Sequence, residues 1–212
     1  MIAVIDYGAG NLRSISRALE AAGAEVVVTS DPDVVRSADA AVLPGVGHAG
    51  HSIQVLTELG MPEAISEIVK DGKPFLGICI GMQVMFEEQE EGDNHGLGLL
   101  PGRVRSIRGD VKLPHMGWNK SRVARTSPLG DEGEEDYFYF VHSFVAEPND
   151  PADIAATVDY GERFPSVVVR DNVWGTQFHP EKSGAAGLKL IRAFVAQVNQ
   201  AAKRGVADLV AR

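Results

Sequence analysis

The only cysteine, Cys79, stands in Gly77-Ile-Cys-Ile-Gly81, between the apolar run Phe75–Ile78 and a segment of helical character. A strand that turns at once into a helix around a Gly-x-nucleophile-x-Gly pattern is a nucleophile elbow. Gly77 and Gly81 have no Cβ to obstruct so tight a turn, and a helix N-terminus aimed at the thiol favours thiolate. The competing reading is a small buried cysteine ending a core strand; the flanking glycines and the strand-to-helix switch weigh against it. A cysteine nucleophile also needs a base, most often a histidine. Of the six histidines, His48 and His51 are three apart, but no third ligand follows at a fitting spacing, so no metal is expected. His95 lies in an acidic stretch, His115 in the turn-rich Leu113–Asn119, and His142 between two strand-like runs. His179 differs, because it follows the last strand-like run in Gly175-Thr-Gln-Phe-His-Pro-Glu181. Two residues on, Glu181 can accept the other ring N–H, fix the tautomer and stabilise the imidazolium, as the acid of a triad does. Alone, His-Pro-Glu is more often a surface turn. With the elbow it yields Cys79, His179 and Glu181, each at the end of an expected strand.

Those residues need a parallel sheet whose carboxyl ends share one edge. Ile2–Ile5 reads as a buried strand; Asn11 is placed to cap a helix carrying Leu12, Ile15, Ala18 and Leu19, and Gly23 stops it. Strands at Glu25–Thr29 and Ala40–Leu43 flank a short helix or turn begun by Asp31-Pro32, and this alternation implies right-handed crossovers. The third strand runs into Pro44-Gly-Val-Gly-His48, at the edge where open α/β sheets place ligands. The loop lacks the spacing of a dinucleotide or phosphate motif. Its free backbone N–H groups suit an oxyanion, with an ordinary strand-to-helix turn as the equal alternative. Helices are expected over Ser52–Leu59 and Pro62–Lys70. After the elbow, Gly102–Arg108, Lys120–Ala124, Tyr137–Val141, Phe144–Ala146, Ile154–Val158, Ser166–Arg170 and Val173–Gln177 read as antiparallel additions to the parallel core. Gly187–Gln200 closes the chain as a core-facing helix. The expected fold is one α/β domain over residues 1–212, an open, mostly parallel sheet with helices on both faces plus added antiparallel strands.

Composition narrows the partners. With 212 residues and 44% apolar content, one domain with a sizeable core is the default. Twenty basic against 29 acidic side chains give a net charge of −9, which argues against nucleic acid or an anionic membrane. The acidic runs Glu87–Asp93 and Asp131–Asp136 read as solvated loops. One cysteine cannot form an internal disulfide, which fits a reducing, cytoplasmic setting. The start shows no signal peptide, and no apolar run approaches the length of about 20 residues that spans a bilayer.

Gly77-Ile-Cys-Ile-Gly-Met-Gln83 together with His179-Pro-Glu181 resembles the signature of class I, triad-type glutamine amidotransferases. Asp6-Tyr-Gly-Ala-Gly-Asn-Leu12, Pro44-Gly-Val-Gly47, His115-Met-Gly-Trp-Asn119 and His179-Pro-Glu-Lys-Ser183 narrow the match. Along essentially the whole chain they resemble the glutaminase subunits of imidazole glycerol phosphate synthases; many relatives carry Pro-Gly-Gly at the second of these segments. The resemblance implies a flavodoxin-like fold, L-glutamine as substrate, and hydrolysis to glutamate and ammonia without a cofactor. Cys79 would attack the side-chain carbonyl, His179 would protonate the leaving ammonia and Glu181 would orient His179. Ile80 N–H would be one oxyanion donor, and Val46 N–H or Gly47 N–H the other, in a loop that reorients when the partner is occupied. Glutamine binding carries over to Gln83, His142, Ser143 and Phe144, and to Glu91 for the α-amino group. A plain β-turn is the alternative for 142–144. The implied partner is a (β/α)₈-barrel cyclase in a heterodimer that channels the ammonia, with Asn11, Trp118 and Lys182 as candidate contacts. For Trp118 a core position is nearly as well supported.

Three other readings remain at this level. A glutaminase serving another synthase shares the chemistry and is separated by its partner. A cysteine peptidase or hydrolase of similar fold is disfavoured by Gln83 and the glycine loop. A non-catalytic module is disfavoured by the complete set of three triad residues.

Overall fold

Short apolar runs bounded by turn residues build the parallel half of the main sheet. Ile2–Ile5 (β1), Ala40–Gly45 (β3) and Phe75–Cys79 (β4) are buried at every position, as strands covered on both faces must be, while Val26–Thr29 (β2) forms the half-exposed edge. The structure, a computed structural model, describes residues 1–92 and 94–210. Leu12–Ala21 (α1), Pro32–Ser37 (α2), Ala49–Glu58 (α3) and Met61–Lys70 (α4) supply the crossovers. Ile80–Gln83 (α5) is one turn long and follows β4 without a loop. The chain then runs through Phe86–Gln89 (β5), Asn94–His95 (β6), Leu100–Ser106 (β7), His115–Val123 (β8), Glu135–His142 (β9) and Phe144–Pro148 (β10). Ile154–Tyr160 (β11), Glu162–Arg170 (β12), Val173–Thr176 (β13) and the long helix Gly184–Val210 (α6) complete it.

The main sheet has the order β2-β1-β3-β4-β13-β12-β11-β8-β9. Pairing is parallel from β2 to β13 and antiparallel from β13 to β9. Helices α1 and α6 pack together, as do α2, α3 and α4, which places one group on each face when the crossovers are right-handed. The expected α/β architecture is therefore present.

Several local expectations are corrected. Val173–Thr176 is not simply an antiparallel addition: it pairs parallel with β4, in register Gly77↔Gly175, and only its other edge is antiparallel. Two of the expected additions, Gly102–Arg108 and Phe144–Ala146, fall instead in a second sheet, β10-β7-β5-β6. Within the run Glu87–Asp93, Glu87–Gln89 belong to β5 and Gln89 is buried; Asp93 lies outside the described residues. The second acidic run ends in β9, since Glu135 and Asp136 belong to that strand. His115–Asn119 is strand, not turn, because it pairs residue by residue with Phe138–His142. Pro44 and Gly45 end β3, so only Val46–His48 remain as loop. Asn11 occupies the N-cap position of α1 but makes no side-chain cap; its amide turns instead toward Glu181 Oε1 at 3.5 Å.

Candidate active site

Cys79 takes φ 55° and ψ −108°, a conformation that non-glycine residues avoid at a cost on the order of 1–3 kcal/mol. Close packing of α5 over the sheet imposes it. A Cβ on Gly81 would lie 1.8 Å from the Leu43 carbonyl oxygen, and one on Gly77 would lie 2.5 Å from the Gly81 oxygen. Gly175, the register partner of Gly77, has Met82 over it in the same way. These small residues let the turn sit down on three strands, which leaves the thiol at the carboxyl edge. A helix of one turn aligns few peptide dipoles, so its N-terminus brings less positive charge to the sulfur than the sequence suggested. The thiol points at the Val141 carbonyl, 3.8 Å away, and Gln177 Nε2 approaches the sulfur at 3.9 Å.

His179 follows β13 and is held by its neighbours on β9. Its N–H donates to the Tyr139 carbonyl at 3.0 Å. The Ser183 hydroxyl donates to the His179 carbonyl at 2.6 Å and accepts from Tyr139 N–H at 3.0 Å. The ring is buried, and Nδ1 lies 2.9 Å from Glu181 Oε1, a carboxylate that is equally buried. Burial opposes the charged ring, but Cys79 and Glu181 outweigh it and push His179 up to about 9. Among the described residues, buried Nε2 has no hydrogen-bond partner within normal distance, and Cys79 acts on the ring from nearby. Backed by a carboxylate on Nδ1, this ring can move a proton at Nε2.

A cavity of about 270 Å³ opens over these groups. It is lined by Val46, Gly47, Cys79, Ile80, Gln83, Glu91, Pro114, Val141, His142, Ser143, Phe144 and His179. Every sequence-expected oxyanion and glutamine residue is among them. Glu181 is absent from the lining because it stands behind His179. Gln83 donates both amide hydrogens, to the Phe144 carbonyl at 3.0 Å and to Gln177 Oε1 at 3.1 Å, and its own oxygen is buried without a partner among the described residues. Glu91 accepts from Ala49 N–H at 2.7 Å, which fixes its carboxylate at the first turn of α3, just past the glycine loop. His48 caps the same helix by accepting from Gly50 N–H, so its spacing from His51 reflects helix capping. Pro114, Val141 and Gln177 were missed from the sequence, although Gln177 stands two residues before His179.

Outside the cavity, β8 and β9 present an apolar face. Met116, Trp118 and Tyr137 are among the most exposed large hydrophobic residues, and Trp118 is 58% exposed, which removes the core alternative. Trp118 packs edge-on against Tyr139 at 6.3 Å, and Lys182 Nζ lies 5.8 Å from the centre of the same ring. Trp118 and Lys182 thus meet at Tyr139, the residue whose backbone holds His179; Asn11 reaches the site from the α1 side through Glu181.

A family model described as "Glutamine amidotransferase class-I" matches residues 3–198. The chain is 50% identical over 196 residues to "Imidazole glycerol phosphate synthase subunit HisH" of Methanothermobacter thermautotrophicus, covering 92% of this chain and 98% of the relative. It is 48% identical over 202 residues to the protein of the same name from Halobacterium salinarum, covering 92% of each. Among solved structures, "Crystal structure of glutamine amidotransferase" matches with a TM-score of 0.75 at 20% identity, over 94% of this chain and 100% of that one. "Structure of PurLQS from Thermotoga maritima" also gives 0.75, at 21% identity over 93% and 98%. At that identity these two structures speak for the fold alone.

Proposed function

The chain belongs to the class I glutamine amidotransferase family, and on that footing we propose that it is the glutaminase subunit of an imidazole glycerol phosphate synthase. It hydrolyses L-glutamine to glutamate and ammonia and passes the ammonia to a cyclase that forms imidazole glycerol phosphate and aminoimidazole carboxamide ribotide. The observation that carries this reading is the meeting, in one cavity, of Cys79, the His179 ring backed by Glu181, and the two runs that resemble the family's glutamine contacts.

In this mechanism the Cys79 thiolate attacks the side-chain carbonyl carbon of glutamine. The oxyanion that forms is received by Ile80 N–H and by Val46 N–H or Gly47 N–H. The C–N bond then breaks as Nε2–H of His179 protonates the departing nitrogen, leaving a thioester and ammonia. His179, now neutral, takes a proton from water; the hydroxide adds to the thioester, and glutamate leaves as the thiolate returns. Glu181 keeps Nδ1–H in place throughout. The unpaired oxygen of Gln83 is an acceptor for the substrate amide, and the Glu91 carboxylate receives the α-ammonium group.

The partner is a (β/α)₈-barrel cyclase seated on the face formed by Trp118, Lys182 and their neighbours, with Asn11 carrying the effect of docking to Glu181. Aromatic residues of this kind anchor interfaces. Glutamate release measured for the chain alone, with the cyclase, and with the cyclase plus its ligand tests this reading. Turnover is expected to be low at first and to rise at each step; full turnover of the lone chain, unchanged by the partner, would sink it.

A further inference from the structure

Behind the cavity wall, a line of polar side chains runs from the aromatic core, where His142 and His115 are buried, out to the half-buried Asn119. His142 Nδ1 lies 2.9 Å from the Phe144 carbonyl, and His142 Nε2 lies 2.9 Å from His115 Nδ1. His115 Nε2 lies 3.1 Å from Asn119 Nδ2, which also donates to the Asp159 carbonyl at 3.0 Å. The two ends of this line are carbonyl oxygens, which only accept, and that settles every proton between them. His142 must carry its proton on Nδ1 to serve Phe144, so its Nε2 is bare and accepts from His115 Nδ1–H. His115 Nε2 is then bare in turn and accepts from Asn119. Working from the Asp159 end, where the nitrogen of the Asn119 amide must face the carbonyl, leads to the same assignment. A second proton on either ring would set N–H against N–H. Burial agrees, pushing His115 down to about 4 and His142 down to about 3, so both rings are neutral at neutral pH. Tyr160 and Phe140 stack on the two faces of His115, at 4.1 and 4.8 Å, and stop it from turning over.

We propose that His115 and Asn119 are positioning residues for glutamine: through this one-way chain they fix the tautomer of His142 and hold the His142–Phe144 turn in its substrate-binding shape. The proposal rests on the glutaminase reading above. The Phe144 carbonyl accepts from both His142 and Gln83, and the Ser143 carbonyl accepts from Ile107 N–H at 3.0 Å, so the turn is pinned from three sides. Only the His142 side depends on a proton that can move to another atom. Without His115 Nδ1–H, the Phe144 carbonyl alone selects the tautomer, His142 Nε2 is left without its donor, and the hold on the turn is weakened.

Nitrogen-15 NMR of the imidazoles reads the tautomer directly, and kinetics of the complex with cyclase and its ligand read the consequence. In the wild type both rings should be Nδ1–H; finding Nε2–H on His142 would overturn the proposal without any variant. His115→Phe keeps the aromatic stack but removes the donor, and should raise KM for glutamine roughly 3- to 10-fold, the worth of one hydrogen bond, with little change in kcat. His115→Asn returns an amide N–H near the Nδ1 position and should recover most of the loss. Wild-type KM in His115→Phe, or an equal loss in His115→Asn, would refute the positioning role and leave a packing role only. If the wild-type complex released no glutamate from glutamine, the glutaminase reading would fall, while the tautomer spectrum would still judge the chain.

Discussion

Glu181→Gln isolates the charge behind the catalytic ring. The carboxylate lies 2.9 Å from His179 Nδ1, both groups are buried, and Glu181 does not line the cavity. The amide oxygen can still accept from Nδ1–H, so the variant removes the charge more than the contact. His179 rises from 6.5 to about 9 against its burial, with Cys79 and Glu181 as the causes. An opposite charge at this range moves a pKa by about 1 to 3. Cys79 contributes to the rise and the amide keeps the contact, so the variant's ring is expected to fall by about 1 to 2 pH units, the lower part of that range. The loss of kcat is therefore small at neutral pH and grows to about 5- to 50-fold near pH 9, where the imidazolium that protonates the leaving nitrogen has become scarce in the variant. KM should change little, since the substrate does not touch Glu181. The assay is glutamate release at saturating glutamine in the complex with cyclase and its ligand, between pH 6 and 10. The wild-type rate should fall as pH rises through about 9, and the variant's fall should begin about 1 to 2 pH units lower. Because the folded ring's pKa lies above its unfolded value, its contribution to stability is complete below pH 6.5 and is lost as pH rises through about 9. A variant with kcat within twofold of wild type at pH 9, or with its whole defect in KM, would refute the role given to Glu181.

Cys79→Ala should abolish glutamine-dependent synthesis while leaving synthesis from added ammonia intact in the complex; surviving glutamine-dependent turnover would remove Cys79 as nucleophile. Gly81→Ala places a methyl 1.8 Å from the Leu43 carbonyl oxygen, a backbone atom with nowhere to go, and should lower stability in urea by about 3 kcal/mol or more. Gly47→Ala meets nothing within 4 Å but must hold φ near +98°, so about 1–2 kcal/mol is expected, and activity should drop further than stability does. Trp118→Ala leaves the fold unchanged in thermal denaturation, as an exposed residue should, and weakens cyclase binding in titration calorimetry by about 2 kcal/mol.

Local chemistry was legible in the chain itself. The elbow could be read because everything that makes it lies within a few residues: an apolar strand, a nucleophile, and glycines where α5 crosses the sheet. His179 and Glu181 were legible for the same reason, two residues apart behind a strand, and strand ends in a parallel sheet share an edge. Of the crossover helices, α1 followed from apolar periodicity and α4 from Pro62 in its first turn. What crosses between distant segments was not legible. The pairing of His115 with His142, and of Trp118 with Tyr139, depends on the register of β8 against β9, which no turn motif announces. That register converts an apparent turn into a strand with two faces, one bearing Met116 and Trp118 outward and the other His115 and Asn119 inward. Gln177 and Val141 reach the sulfur only because β13 lies beside β4 and β9 comes back over the elbow. Asn11 looked like a helix cap because its position favours one, but the buried carboxylate of Glu181 draws its amide away. In this chain the sequence determined which groups carry the chemistry, since type and short-range spacing are local properties. Tertiary structure alone decided what backs, orients and encloses them, because burial and strand register belong to the folded chain and not to any short stretch of it.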